Sequence, residues 1–489
     1  MSITETESTD SPATKRSGGF GPFFLRLHFY AGIFVGPFLL IAAVTGGLYA
    51  IAPSLEQWVY RDYLTVENTG PALPLTDQVR AAQQIRSDLS VVAVRPAVDP
   101  GETTRVMFSD PALGPSERHA VFIDPATAAS TGELTVYGSS GALPLRTWIS
   151  QLHRHLHLGE PGRVYSELAA SWLGIIAIGG LYLWISRYRR MRAQQSGRAR
   201  LLTVDPAATG RRRTLNWHGV TGIWIAAGLL FLSATGLTWS AYAGENITEL
   251  RSAMSWTTPA VSTTLPGATV VDSTAPGGHD HGAVAAPEGG IPRVTDLDRV
   301  LDAARAAGLG GKVEISIPSD PDTAFTVAQT RQPWVLSNNS VAVDGATGAI
   351  TDTSWFEEWP MAAKLSAWGI QLHMGLLFGV LNQLVLVVLA VALVTVIIRG
   401  YLMWWRRRPT RGGAVVGRAP RRGALSSLSP TAAVVVVAAA IGIGWFVPLL
   451  GCSLVAFVLV DTAVGVYQNT RRAPAQTEQT GTLSARPPT

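Results

Sequence analysis

Four stretches of this 489-residue chain carry no formal charge over a length that crosses a bilayer: Leu27–Ile51 (25 residues), Leu168–Ser186 (19), Trp217–Ala243 (27) and Met374–Ile398 (25). A helix needs about 20 apolar residues to span a hydrocarbon core of about 30 Å. A fifth apolar stretch, Thr431–Val460, is broken by Pro448 and Gly451. It reads as a tight hairpin continuing to about Tyr467, which gives six spans; a single tilted helix would give five. The charged fraction of 15%, against about 25% in a soluble domain, agrees with a mainly α membrane protein. One Cys in the whole chain excludes a disulfide scaffold, a zinc ribbon and a cysteine-ligated iron–sulfur cluster. No Cys-x-x-Cys-His exists for covalent haem attachment. The net charge of +5 is no nucleic-acid signal, because the arginines cluster at span ends.

Those clusters set an orientation. Arg187–Arg213 holds nine Arg against one acid, Asp205, and Arg399–Arg422 holds eight Arg and no acid. Positive charge beside spans marks cytoplasmic loops. The amino terminus is then inside, and the two long intervening regions, richer in acid, are outside.

The chain also repeats itself. Leu27-His28 aligns with Trp217-His218 at an offset of 190, and Thr45-Gly46 then falls on Thr235-Gly236. At an offset of 220, Leu152-His153 falls on Leu372-His373, Gly180 on Gly400, Trp184 on Trp404, and the Asp124-to-Thr127 turn on Asp344-to-Thr347. Parallel copies predict a pseudo-two-fold axis along the membrane normal. Each outside region begins with a helical pattern (Thr76–Leu89; Asp296–Ala307). Strand-like runs follow (Ala120–Ile123; Ser340–Val343), so two small α+β modules are expected. The reading divides the chain into a disordered tail (1–19), a first span (20–52), and an outside module with an outer helix carrying His153 (53–164). A second span (165–187), an Arg-rich loop (188–214) and a third span (215–243) follow. Then come an insertion with the second outside module (244–372), a fourth span (373–400), a second Arg-rich loop (401–430), the hairpin (431–467) and a tail (468–489).

Four of the nine His pair across the repeat: His28 with His218, and His153 with His373. A single His at a span end is more often interfacial than a ligand. The same two positions carrying it in both copies argue for function, since ionisable groups near hydrocarbon are costly. Two imidazoles facing across a bundle axis can supply both axial ligands of a haem iron, and two such pairs, one per leaflet, form a wire across the membrane. Gly32, Gly36, Gly46, Gly222 and Gly236 allow close approach of helices or of a flat macrocycle. Arg26 and Arg187 fit haem propionates or positive-inside flanks equally well. His157 competes with His153 as outer ligand, being four residues on and on the same helical face; the repeat favours His153. His279-Asp280-His281 sits in a Gly-rich insertion and reads as a solvated linker before a metal site.

At these residues the chain resembles the PepSY-associated transmembrane family of bacterial iron-regulated membrane proteins and siderophore reductases. The resemblance rests on Leu27-His28 with Thr45-Gly46, and on Leu152-His153-Arg154 with Leu158-Gly159 and Gly162-Arg163. It rests further on Trp217-His218 with Thr235-Gly236, and on Leu372-His373-Met374-Gly375. It covers about residues 20–410, with Asp124 and Asp344 closing turns of PepSY-like modules. It implies an internally duplicated bundle in the bacterial cytoplasmic membrane holding two non-covalent b-type haems. The implied ligands are His28, His218, His153 and His373, with His157 as the alternative. The implied activity is haem-dependent reduction of a ferric siderophore or other ferric chelate outside. A departure from the family pattern is the His153/His155/His157 cluster. The chain has no Rossmann fingerprint and no evident flavin site, so the donor is a cytoplasmic reductase or a quinol. One rival is a cofactor-free PepSY protein regulating an extracytoplasmic peptidase or cell-wall enzyme. The other is a transporter, which should carry charged or broken-helix residues in mid-span; the first four spans lack charges, and their special residues are His at the ends.

Overall fold

The computed structural model describes residues 20–67, 69–195, 197, 199–265, 293–407, 420, 422 and 428–481. His279-Asp280-His281, the amino-terminal tail and parts of both Arg-rich loops lie outside them. The chain is mainly helical, at 58%. Its elements run α1 (Gly21–Phe34), α2 (Gly36–Val59), α3 (Arg61–Leu64), α4 (Leu75–Ile85), β1 (Ser90–Arg95), β2 (Thr104–Ser109), β3 (Glu117–Ile123), β4 (Ser130–Tyr137), α5 (Pro144–His155), α6 (Glu160–Ala193), α7 (Gly210–Leu237) and α8 (Tyr242–Ala253). They continue with α9 (Leu297–Ala306), β5 (Val313–Ser316), β6 (Phe325–Gln329), β7 (Ser340–Val343), β8 (Ile350–Ser354), α10 (Met361–His373), α11 (Gly379–Trp405), α12 (Pro430–Phe446) and α13 (Pro448–Gly481).

Among the described residues, five helices are long and apolar enough to cross a membrane: α2, α6, α7, α11 and the Pro448–Tyr467 part of α13. The expected sixth, α12, has 17 residues and falls short of that class. It does fold back on α13. A Cβ on Gly444 would sit 2.9 Å from the Gly451 Cα, whereas residues seven apart on a straight helix are separated by about 10.5 Å along the axis. Trp445 at this turn is 85% exposed, as suits a ring at headgroup level. α11 presents Val380, Leu384, Val388 and Val391 outward, a face whose natural solvent is lipid.

The chain divides into two compact units: residues 1–37, 171–227 and 396–489, and residues 38–170 and 228–395. In the first, Pro37 explains the α1–α2 break. Proline has no N–H to give the Ile33 carbonyl, and the Tyr401 hydroxyl donates to that carbonyl instead, at 2.6 Å. Arg26 of α1 is buried and ion-paired with Asp461 of α13 at 2.5 Å. It is thereby engaged with a carboxylate of the chain itself.

The second unit contains one antiparallel sheet of eight strands in the order β4-β3-β2-β1-β5-β6-β7-β8. The strand sets expected as two separate modules thus share a sheet, joined where Ala93 pairs with Ser316 and Val94 with Ile315. An exposed edge strand is a liability, and pairing β1 with β5 removes two. One face carries α4 and α9 over a single core that includes Val79, Val106, Phe108, Val300, Ile315 and Phe325. Asp298 of α9 accepts hydrogen bonds from the Leu75 and Thr76 amides (2.6 and 3.0 Å), capping α4 from its neighbour. Phe122, Met107 and Leu143 pack on the other face with Tyr60 and Tyr63. Asp124 and Asp344 each make an Asx turn, accepting from Ala126 N and Ala346 N (both 2.9 Å) and from the Thr127 and Thr347 hydroxyls. Glu167, 1% exposed, accepts from the Tyr242 and Ala243 amides and so fixes where α8 begins.

Candidate functional site

The first unit brings His28 of α1 and His218 of α7 together, with ring centroids 6.1 Å apart and planes at 79°. His28 Nδ1–H donates to the Ile176 carbonyl at 3.0 Å, and His218 Nδ1–H to the Val396 carbonyl at 2.9 Å. A carbonyl can only accept, so both rings carry their proton on Nδ1. Each carbonyl lies one helical turn before a glycine, Gly180 in α6 and Gly400 in α11. A Cβ at Gly180 would stand 3.1 Å from the Cε1 atom of His28, and one at Gly400 3.7 Å from that of His218. These glycines are the notches through which the imidazoles reach the backbone.

The second unit repeats the arrangement with a different acceptor. His153 lies in the last turn of α5 and His373 ends α10, so His373 precedes α11 and is not part of that spanning helix. Gly375 and Gly379, both at positive φ (75° and 55°), turn the chain between the two helices. His153 Nδ1 is 3.0 Å from Thr45 Oγ1, and His373 Nδ1 is 2.7 Å from Thr235 Oγ1. Each threonine donates its own hydrogen to the helix behind it, to Ile41 O (2.9 Å) and Phe231 O (2.7 Å). That leaves the hydroxyl oxygen to accept from the imidazole. Cβ atoms at Gly46 and Gly236 would lie 2.9 and 3.7 Å from the respective Cε1 atoms. Tyr49 stacks on His153 at 6.2 Å, and Trp239 meets His373 edge-on at 5.3 Å.

All four imidazoles are half-buried with Nδ1 committed, so Nε2 is the nitrogen left for a ligand bond. A ligating His characteristically donates its other N–H to a second group in this way. The residues present fit a haem. With ring centroids 6.1 Å apart, the first pair has room for one metal atom between its two imidazoles. No cluster of three or more His, Cys, Asp or Glu suited to a bare metal ion occurs among the described residues. A site offering two imidazoles suits an iron that brings four ligands of its own.

His157 is not on the face of His153. α5 stops at His155, and Leu156 and His157 take positive φ of 54° and 56°, so the four-residue spacing is no longer helical. His157 is exposed, packed on Trp148 at 5.0 Å, with Nε2 3.1 Å from the Trp148 carbonyl. His155 Nδ1 is buried without a partner. Arg187 has no carboxylate partner among the described residues, whereas Arg26 is held by Asp461. Thr45, Thr235, Gly180 and Gly400 stand out in the sequence as recurring positions; only the fold gives them roles against the histidines.

No curated protein matches the chain. The family model described as "PepSY-associated TM region" matches residues 25–407, a segment that contains all four histidines and every group that holds them. The chain belongs to the PepSY-associated transmembrane family.

Proposed function

We propose that the chain is a di-haem transmembrane electron-transfer protein that reduces a ferric chelate, of the siderophore class, outside the membrane. The observation that carries this reading is the state of the four imidazoles: two pairs, each ring with Nδ1 given to a fixed acceptor and Nε2 left over. A haem at each pair would supply one-electron transfer. The chain's own contribution is to hold each Nε2 unprotonated and oriented, through the Ile176 and Val396 carbonyls in one unit and the Thr45 and Thr235 hydroxyls in the other. With two imidazoles committed to each site, no position is left for a substrate atom, so reduction of the acceptor is outer-sphere. The duplication seen in the sequence accounts for why the two pairs are built alike.

Orientation follows from which residues share a unit. Both Arg-rich segments belong with His28 and His218, and the whole sheet belongs with His153 and His373. Positive charge on the cytoplasmic side makes the first pair the entry and the second the exit. The Arg-rich loops suit an acidic reductase, whose docking they would accelerate; a quinol is the other donor. Reporter fusions in 60–150 and 245–360 are expected outside and fusions in both Arg-rich loops inside. A fusion after Arg472 is expected inside, which requires α12 to cross with α13; an outside result leaves five spans.

The test is haem itself. Purified protein should carry two haems per chain by pyridine haemochrome, low-spin because both axial positions are filled. After reduction by dithionite, mixing with ferric siderophores and a ferrous trap should reoxidise the haem as the ferrous complex forms. A haem-free preparation rejects the reading and favours regulation of an extracytoplasmic enzyme. Haem that stays reduced with every ferric chelate rejects iron as the acceptor.

A further inference from the structure

The second unit holds arginines that the histidine site leaves unexplained. Arg95, Arg105, Arg118 and Arg146 surround two carboxylates, Glu56 and Glu314, and Arg331 is a neighbour of Arg146 and Arg95, so these arginines exceed the two acids by three (5 − 2). Three of the five are accounted for. Glu314 takes Arg95 at 2.6 Å and Arg118 at 3.3 Å, and Arg105 donates to the Gly141 carbonyl at 2.8 Å while lying over the Phe122 ring. Arg146, ion-paired with Glu56 through Nη1 alone, is accounted for in part, and Arg331 is not.

The Arg146 side chain is 7% exposed and its nearest carboxylate, Glu56, is 3.6 Å away. Its Nε and Nη2 have no hydrogen-bond partner among the described residues. For Arg331 the contact is a thioether, Met374 Sδ, at 3.7 Å, and no carboxylate lies within salt-bridge distance among the described residues. Arg146 is buried and Arg331 half-buried, and a guanidinium so placed and incompletely paired is costly unless an anion completes it. Burial and the charges of Arg146 and Arg95 hold Arg331 below its ordinary value, while Tyr49 pulls the other way.

Both groups flank the second histidine pair. Met374 follows His373 directly. Tyr49, the electrostatic neighbour of Arg331, is the ring stacked on His153. Arg146 lies seven residues before His153 on α5, two helical turns back on the same face. A guanidinium fork matches a carboxylate with two parallel N–H donors.

We propose that Arg146 and Arg331 form a carboxylate-binding site beside the His153–His373 pair. It rests on the haem reading for one source of the carboxylate, a haem propionate; a carboxylate-bearing ferric chelate presents the same chemistry from outside. Neither arginine has a basic counterpart in the other copy, where Arg146 aligns with Ser366 and Arg331 with Pro111. The site therefore belongs to one half only.

The test uses the full chain in detergent, as wild type, Arg331→Gln, Arg331→Lys and Arg146→Gln. If the carboxylate is a propionate, Arg331→Gln favours the oxidised form of the second-pair haem by about tenfold, which is about 59 mV for one electron. Half-saturation by ferric citrate and by a ferric hydroxamate then stays as in wild type. If it is the chelate, the reduction equilibrium is unchanged and half-saturation by ferric citrate rises about tenfold, the hydroxamate being unaffected; a charge-assisted hydrogen bond is of that strength. Arg331→Lys recovers part of either effect, because it keeps the charge and loses the fork. Arg331→Gln and Arg146→Gln both matching wild type on every measure overturns the proposal, as does equal weakening of citrate and hydroxamate. Should wild type hold no haem, the haem reading fails separately. Tryptophan fluorescence titrated with ferric citrate, wild type against Arg331→Gln, then decides the site by itself.

Discussion

Replacing His28 with alanine should remove one of two haems, and His218→Ala should remove the same one. His153→Ala and His373→Ala should each remove the other. The expectation follows from the pairing within units: the ring of His28 stands 6.1 Å from that of His218, and His153 and His373 belong to one unit, each held by the threonine of a Thr-Gly pair. An iron that loses one of two axial imidazoles becomes five-coordinate, and without a covalent tether it is lost in purification. Haemochrome assay should therefore read about half the wild-type content in each single variant. The His28/His218 double variant should read no lower, and His28/His373 close to none. His157→Ala should read as wild type, since its Nε2 faces the Trp148 carbonyl. Depletion by His157→Ala with His153→Ala unaffected would reverse the assignment of the outer ligand. Full haem in all four single variants would discard the ligand set.

The second large effect sets two equivalent glycines apart. Gly46 and Gly236 occupy the same repeat position, yet a Cβ at Gly46 would meet the His153 ring at 2.9 Å and one at Gly236 the His373 ring at 3.7 Å. The first distance forces the ring to move; the second is ordinary contact. Gly46→Ala should displace His153 and stretch its 3.0 Å bond to Thr45, a bond worth about 1 kcal/mol in place. Loss of alignment at the iron adds to that. Haem at the second pair should bind at least tenfold more weakly in Gly46→Ala, while Gly236→Ala should stay within about twofold of wild type; a 1.4 kcal/mol change is about tenfold. Haem-transfer titrations of the two variants measure this directly. Equal behaviour would mean that the slots are alike and that the 2.9 Å contact relaxes without cost.

Much of this was readable from residue order alone, for physical reasons. Spans are legible because hydrocarbon thickness imposes a length on any helix that crosses it. The four histidines are legible because similar short motifs recur around them at fixed offsets in the sequence. The acceptors of the first pair were not, since every residue has a carbonyl and nothing in a one-letter code marks the Ile176 or Val396 oxygen as the one approached. The helical spacing from His153 to His157 misled because α5 ends at His155, with two residues in left-handed conformation beyond it. Likewise, the apolar run from Met374 begins before its helix, which starts at Gly379. The pairing of β1 with β5 joins residues 223 apart (Ala93 and Ser316), and no local pattern announces it. Arg146 and Arg331 lacked the repeat that drew notice to the histidines.

The two acceptor types have unequal evolutionary freedom. A carbonyl oxygen survives any substitution at Ile176 or Val396, so the support under His28 and His218 is insensitive to drift at those positions. A hydroxyl belongs to Thr45 and Thr235 as side chains. One nucleotide change can delete it, or exchange it for the looser hydroxyl of serine, and so alter how strongly His153 or His373 pushes electron density toward a metal. On the proposed reading, the pair whose driving force single mutations can retune is His153–His373, while the support of His28 and His218 stays constant. A lineage meeting new external oxidants could adjust to them at two threonines and leave its inward connection untouched.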